Sequence, residues 1–334
     1  MAEILKDRNW YDTAWRSRAK ITINKDLAVG TTQANYPVKI TNLDHVIYGL
    51  SKADGSDLLF TYQNEPIRRD VVSFDRSART CEIYVELPSL SGSVDTVIYC
   101  YFNNPDATLL NDRVDHSITR SVRVAASADD SLCYNDAVNW LFTLTSTYDI
   151  VGYENATFLK IGSGLRFLNT LVPLSSTINQ SYVRFTCKTD DALNTVNSRL
   201  CIELGATPST FSTLADYQAR RGTACGGADD THHTATIDWD GIAGWVAETE
   251  YDSPSLNTPM QTAINTNAMQ HTVVFWEDHD NRSTNLDDRY RLPYSYNGSA
   301  TKCPLLILDF TPDLTNYQTL ELEYTGIKPL PIEV

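Results

Sequence analysis

Long apolar runs, basic charge, paired cysteines and catalytic motifs are what this sequence lacks. Nowhere in its 334 residues does an apolar stretch approach the ~20 residues of a membrane-crossing helix, which argues against membrane insertion. The segment Met1 to Trp15 is charged and polar and has neither the apolar centre nor the cleavage site of a secretory leader. Lys plus Arg number only 27 against 42 Asp plus Glu, a formal net charge of −15. A field of that sign repels phosphate backbones and excludes general nucleic-acid binding, while leaving room for a basic protein partner. The seven cysteines (81, 100, 133, 187, 201, 225 and 303) are odd in number, scattered and without Cys-x-x-Cys, so neither zinc nor a thioredoxin-like motif is expected. They read as buried reduced thiols on strands, in a protein folded in a cytoplasm. No GxSxG, P-loop, Rossmann or HExxH pattern occurs. The expectation is a protein that is not an enzyme and uses no cofactor.

Period-two alternation of apolar and polar residues is what the sequence has in abundance. It marks Ala19–Asn24, Tyr36–Thr41, Asp57–Tyr62, Thr80–Leu87 and Asp95–Phe102, separated by turn signals such as Asp54-Gly55 and Ser91-Gly92. It resumes at Ile118–Ala125, Gly164–Leu168, Ser181–Cys187, Arg199–Leu204, Thr272–Glu277 and Leu305–Phe310. Between these lie polar loops, notably Cys225–Thr236 and His279–Asp288, and two segments that could form short helices, Phe211–Arg221 and Pro259–Ala268. The pattern predicts an all-β chain of two β-sandwich (jelly-roll-like) domains. Their expected limits are 1–106 and 118–312, with a linker at 107–117 and an extended C-terminal arm at 313–334.

The stretch Trp15–Ala107 resembles a widespread microbial β-sandwich domain of unknown function found in surface proteins. The resemblance is carried by Trp15-Arg16-Ser17-Arg18, Asn35-Tyr36-Pro37-Val38, the acidic turn from Ala53 to Phe60, Leu87-Pro88-Ser89-Leu90 and Phe102-Asn103-Asn104-Pro105-Asp106-Ala107. It implies a sandwich and an adhesive or carbohydrate-associated setting, without catalytic residues. Roughly Ile118–Thr311 resembles, more loosely, a β-rich module of phage structural proteins. Gly164–Asn169, Val172-Pro173, Thr177–Tyr182, Ile237-Asp238-Trp239, Trp245, Ser253-Pro254 and Tyr294–Ser299 carry that likeness.

Three polar clusters could carry chemistry. Asp229-Asp230-Thr231-His232-His233 offers metal-ligating types, but adjacent side chains on an extended chain point apart, so a solvated loop is expected. Glu277-Asp278-His279-Asp280-Asn281 with Asp287-Asp288 offers oxygens suited to Ca²⁺, with Asp278, Asp280, Asp287 and Asp288 as the ligand candidates. The EF-hand spacing fails there, and a solvated acidic loop is the simpler expectation. Asp54-Gly55-Ser56-Asp57 reads as a hairpin turn. Aromatic residues crowd the last third: Trp239, Trp245, Tyr251, Trp276, Tyr290, Tyr294 and Tyr296. Of these, Trp239, Trp245, Trp276, Tyr290, Tyr294 and Tyr296 are the candidates for stacking on a sugar or anchoring an interface, set against core packing. Tyr294 and Tyr296, two apart, would share one strand face.

An adhesive resemblance without an export signal fits a phage structural protein, made in host cytoplasm and released by lysis. The expectation is a virion protein of the capsid-decoration type, contacting capsid or tail proteins and forming a homo-oligomer, with the arm Tyr317–Val334 reaching a neighbour by strand addition. The alternative is a tail or fibre adhesin that binds host-surface glycans. A glycan-degrading enzyme is a third class, which paired carboxylates across a sugar cleft would signal.

Overall fold

Alternation in sequence becomes alternation in burial. In the computed structural model, which describes residues 10–190, 194–283 and 288–324, the chain is all-β and divides into two units. The first comprises residues 1–118 and 311–334 and the second residues 119–310.

The first unit contains strands β1 (Ser17–Ile23), β2 (Gln33–Ile40), β3 (Leu59–Tyr62), β4 (Glu65–Pro66), β5 (Arg69–Asp75), β6 (Thr80–Leu90) and β7 (Thr96–Phe102). Strands β2-β6-β5 form one antiparallel sheet, in the register Val38 opposite Val85 and Ile40 opposite Ile83. Strand β1 pairs with β7, placing Ile21 opposite Ile98 and Ala19 opposite Cys100, and all four are buried. Each fully buried Ile or Val of this kind stabilises the fold by roughly 1.5–3 kcal/mol. A short helix, α1 (His45–Leu50), precedes β3 and is N-capped by Asp44, whose carboxylate accepts from Val46 N at 2.8 Å. This helix was not legible as an alternating or clearly amphipathic segment.

The second unit contains β8 (Ile118–Arg123), β9 (Asp130–Asn135), β10 (Trp140–Thr143), β11 (Val151–Tyr153), β12 (Leu159–Phe167), β13 (Thr177–Thr186), β14 (Val196–Ile202), β15 (Ile237–Ile242), β16 (Glu250–Asp252), β17 (Thr272–Glu277), β18 (Arg289–Arg291) and β19 (Leu305–Thr311). The larger sheet runs β10-β9-β12-β17-β14-β15, with β11 and β18 beside it. The smaller runs β16-β13-β19-β8. Every residue of β17 is buried, as befits a central strand covered on both faces. The two helical segments expected from sequence form as α2 (Leu214–Arg221) and α3 (Asn257–Thr266). Helix α2 begins at Thr213, whose Oγ1 accepts from Asp216 N at 3.1 Å, while the Asp216 carboxylate accepts from Ser212 N at 3.0 Å.

The chain then returns to the first unit as β20 (Gln318–Tyr324), antiparallel to β1. This differs from the expected free arm. Leu320 falls opposite Ile21 and Leu322 opposite Ala19, so the terminal strand covers an edge that β1 would otherwise leave unpaired, in the sheet order β20-β1-β7-β3-β4. Residues 325–334 of that arm lie outside the described residues. The expected linker is likewise no tether. Leu109 N donates to Ser56 O at 2.8 Å, Asp112 N donates to Arg69 O at 2.8 Å, and Asn111 Oδ1 accepts from both Arg69 Nη1 and Val71 N at 2.8 and 3.1 Å.

Three of the segments that carried the first resemblance, those of Trp15, Asp57 and Asn103-Asn104, meet in one junction of this unit. Asp57 is buried, and its carboxylate accepts from Lys52 N at 2.9 Å, Asn103 N at 3.0 Å and Asn104 N at 3.3 Å. Trp15 Nε1 donates to the Asp57 carbonyl at 2.8 Å. Gly55 takes φ +68°, a conformation glycine adopts without strain, and Asp54 accepts from Ser56 N at 3.0 Å. The turn therefore connects α1 to β3 and is not the expected hairpin.

Candidate functional site

A buried polar cluster of the second unit is built where β17 ends under α2. Glu277 and Arg221 form an ion pair whose side chains are 1% and 3% exposed. The other Glu277 oxygen accepts from His279 N at 2.5 Å. His279 Nδ1 lies 2.7 Å from the Lys160 carbonyl, which can only accept, so Nδ1 carries the proton. His279 Nε2 then accepts from Tyr217 Oη at 3.1 Å. Burial pushes Glu277 up, but the Arg221 guanidinium, His279 and their hydrogen bonds outweigh it and hold the carboxyl below its usual range. Burial pushes His279 down and Tyr217 well up, so both are neutral at pH 7. A carboxylate, an imidazole and a phenol within hydrogen-bond reach are acid–base material. Here each is tied to a partner and covered, and together they fasten α2 to the large sheet.

The two neighbouring histidines of the first expected cluster diverge. The His232 side chain is exposed, 4.0 Å from Asp229, while His233 turns inward, with Nε2 3.2 Å from Arg221 Nη1. Asp230 accepts from Thr223 N and Oγ1 at 2.8 and 2.6 Å, clamping the loop. The calcium candidates do not converge either. Asp278 is buried and accepts from Arg282 N at 2.5 Å and Ser283 N at 3.0 Å, and burial raises its pKa to about 6. Asp280 pairs with Arg199, and Asp288 is exposed with φ 63°. Asp287 lies outside the described residues. Among the described residues no group of three or more His, Cys, Asp or Glu could hold a metal ion.

The aromatic candidates are placed differently from a surface platform. Trp276 is 0% exposed, and its Nε1 donates to Ser198 Oγ at 3.0 Å. Trp245 is 3% exposed, stacked on Tyr251 (centroids 4.6 Å apart, 3° between planes) and on Trp276 (5.9 Å, 16°). Half-buried Trp239 and buried Phe185 complete the group, at 5.6 and 4.4 Å from Trp276. Apart from Trp245, which lies in the loop between β15 and β16, these rings come from strands of both sheets (β13 and β16 of the smaller, β15 and β17 of the larger) and form core between them. Core burial withdraws Trp245 and Trp276 from any ligand. Tyr290 is half-buried beside Leu132, Ile150 and Ile161. Tyr294 Oη donates to Glu248 at 2.7 Å, and Lys302, paired with the same carboxylate, lies 5.3 Å from the ring centroid. Tyr296 N donates to Asp130 at 2.6 Å. Tyr294 sits in an isolated bridge with Tyr148 and Tyr296 in a turn, so they do not share a continuous strand face.

Two features escaped the sequence. Asp130 and Asp149 are both buried, and Asp149 Oδ2 has no hydrogen-bond partner. Burial, reinforced by each other's charge for Asp149 and by Asp129 for Asp130, raises both pKa values, that of Asp130 to about 7. The other feature is an open polar groove of about 690 Å³ on the smaller sheet of the second unit, lined by β13, β16, β19 and the start of α3. No protein-family model and no curated protein matches this chain.

Proposed function

We propose that this chain is a non-catalytic structural protein of a phage particle, carried on the capsid surface as a decoration protein. The insertion architecture carries the reading. The second unit, 119–310, interrupts the first, whose sheet is completed only when β20 returns to β1. A chain that closes one β unit from two segments far apart in sequence and carries the other as a continuous insertion supplies one body for attachment and one for display. The two resemblances support the same setting. So does the use made of Glu277, Arg221, His279 and Tyr217, which are spent on holding a helix to a sheet.

A tail or fibre adhesin is the second reading. Its expected aromatic platform loses Trp245 and Trp276 to the core, so a glycan would be held elsewhere on the molecule. Adding purified protein to isolated capsids and isolated tails of the phage that encodes it tests the choice. Saturable binding to capsids is expected. Binding to tails alone selects the adhesin, and binding to neither overturns both.

A further inference from the structure

We infer that the groove on the smaller sheet of the second unit is a binding site for neutral glycans. Most of its lining comes from regular elements: Asn179, Gln180, Ser181 and Tyr182 from β13, Asp252 from β16, Asn257 from α3 and Asp309 from β19, with Ser253 and Ser255 from the loop between β16 and α3. A volume of about 690 Å³ falls in the range of small-ligand sites. Side chains on strands and helices are held more firmly than side chains on loops, which lowers the ordering cost of binding.

The polar groups are already oriented. Asp309 accepts from Asn179 Nδ2 at 2.7 Å and from Thr119 Oγ1 at 2.8 Å. Asn257 Nδ2 donates to the Asn179 carbonyl at 3.0 Å, and Asn257 Oδ1 accepts from Ser181 Oγ at 3.1 Å. Arg184 grips Asp252 through Nε and Nη2 at 2.7 and 2.9 Å, and its Cζ lies 5.8 Å from the centroid of the Tyr182 ring. A carboxylate accepts several hydrogen bonds at once, and an amide both donates and accepts. Sugar hydroxyls also do both. Half-buried Tyr182 adds a ring on which the apolar face of a pyranose can rest.

Charge selects among sugars. The groove holds two carboxylates, of which Asp252 is matched by Arg184, and the chain carries net charge −15. Sulfated, phosphorylated or sialylated sugars would meet like charge there, whereas a neutral polyhydroxylated chain would not. The site goes beyond the particle reading and does not depend on it. Loss of sugar binding leaves capsid attachment untouched, and the reverse also holds.

The test is a glycan array probed with the full chain, followed by calorimetry. The array carries neutral oligosaccharides of glucose, galactose and N-acetylhexosamines beside sialylated and sulfated counterparts. Retention of neutral glycans is expected, with Tyr182→Ala and Asp309→Ala each weakening binding by about tenfold or more. Tyr182→Phe keeps the ring and should retain most of the affinity. Melting curves matched to wild type verify that the variants fold, and Asn179→Ala is a second groove probe should Asp309→Ala unfold. No neutral glycan retained, retention of acidic glycans only, or neutral binding insensitive to the folded groove variants would each overturn the assignment.

Discussion

Glu277→Gln should strip the second unit of a large part of its stability without touching any binding surface. The substitution keeps the side-chain shape and removes the charge that compensates Arg221. Both groups are buried, and the guanidinium, whose Nη1 also lies 3.2 Å from His233 Nε2, then faces a neutral amide where the carboxylate was. Breaking a buried pair by removing one partner costs about 3–5 kcal/mol. At roughly 2–4 °C per kcal/mol for a domain of this size, the unfolding midpoint falls by about 6–20 °C. The native carboxyl lies below its usual range, so its stabilising contribution is present above the unfolded value and disappears as pH falls through the folded one. Urea unfolding followed by tryptophan emission reads the loss, since Trp276, Trp245 and Trp239 pack in this unit. Arg221→Met with Glu277→Leu removes both charges and should recover most of it, because an apolar pair of similar volume avoids the desolvation cost. A cost below about 1 kcal/mol for Glu277→Gln, or a double variant as unstable as the single one, would refute the structural role assigned to this cluster.

Other consequences are open to simple measurements. Asp130 and Asp149 have raised folded pKa values, so their contribution is fully present below the unfolded value near 3.8 and is lost as pH rises through the folded ones, about 7 for Asp130. Asp149→Asn should therefore flatten the fall of the melting temperature as pH rises above the unfolded value; an unchanged pH profile would count against a buried diacid. Trp276→Ala removes a fully buried ring and should cost about 3–5 kcal/mol in denaturant unfolding, while folded protein at low temperature keeps its glycan binding. All seven cysteines are buried, and burial raises the Cys303 thiol to about 11. A thiol reagent should find none in the native protein and seven after denaturation, and prompt native labelling would contradict that burial.

Much of the fold was legible because strands announce themselves by alternation. Ile21, Val38, Val85 and Ile98 stand at alternate positions and fill the core of the first unit. Short or irregular strands were not legible: β10, β11, β16 and β18 span four residues or fewer, too few for a period to register. The return of Gln318–Tyr324 to β1 is a contact across some three hundred residues, which no local pattern encodes. For the site, sequence located an aromatic-rich region but not the side of the sheet each ring takes. Trp239 and Trp276 sit on strands either side of β14 in one sheet, and both turn toward Phe185. The groove was illegible for a related reason. Asn179, Asp252 and Asp309 are ordinary polar residues until β13, β16 and β19 are set side by side. The sequence hint was that Thr177–Tyr182 and Ser253-Pro254 belonged to the second resemblance.

Electron microscopy of the intact phage particle, with the chain located by fitting its two units separately, tests the proposed role most directly. Density for the chain on the capsid shell is the expected result. Density confined to the tail, or particles that lack the chain altogether, would contradict it.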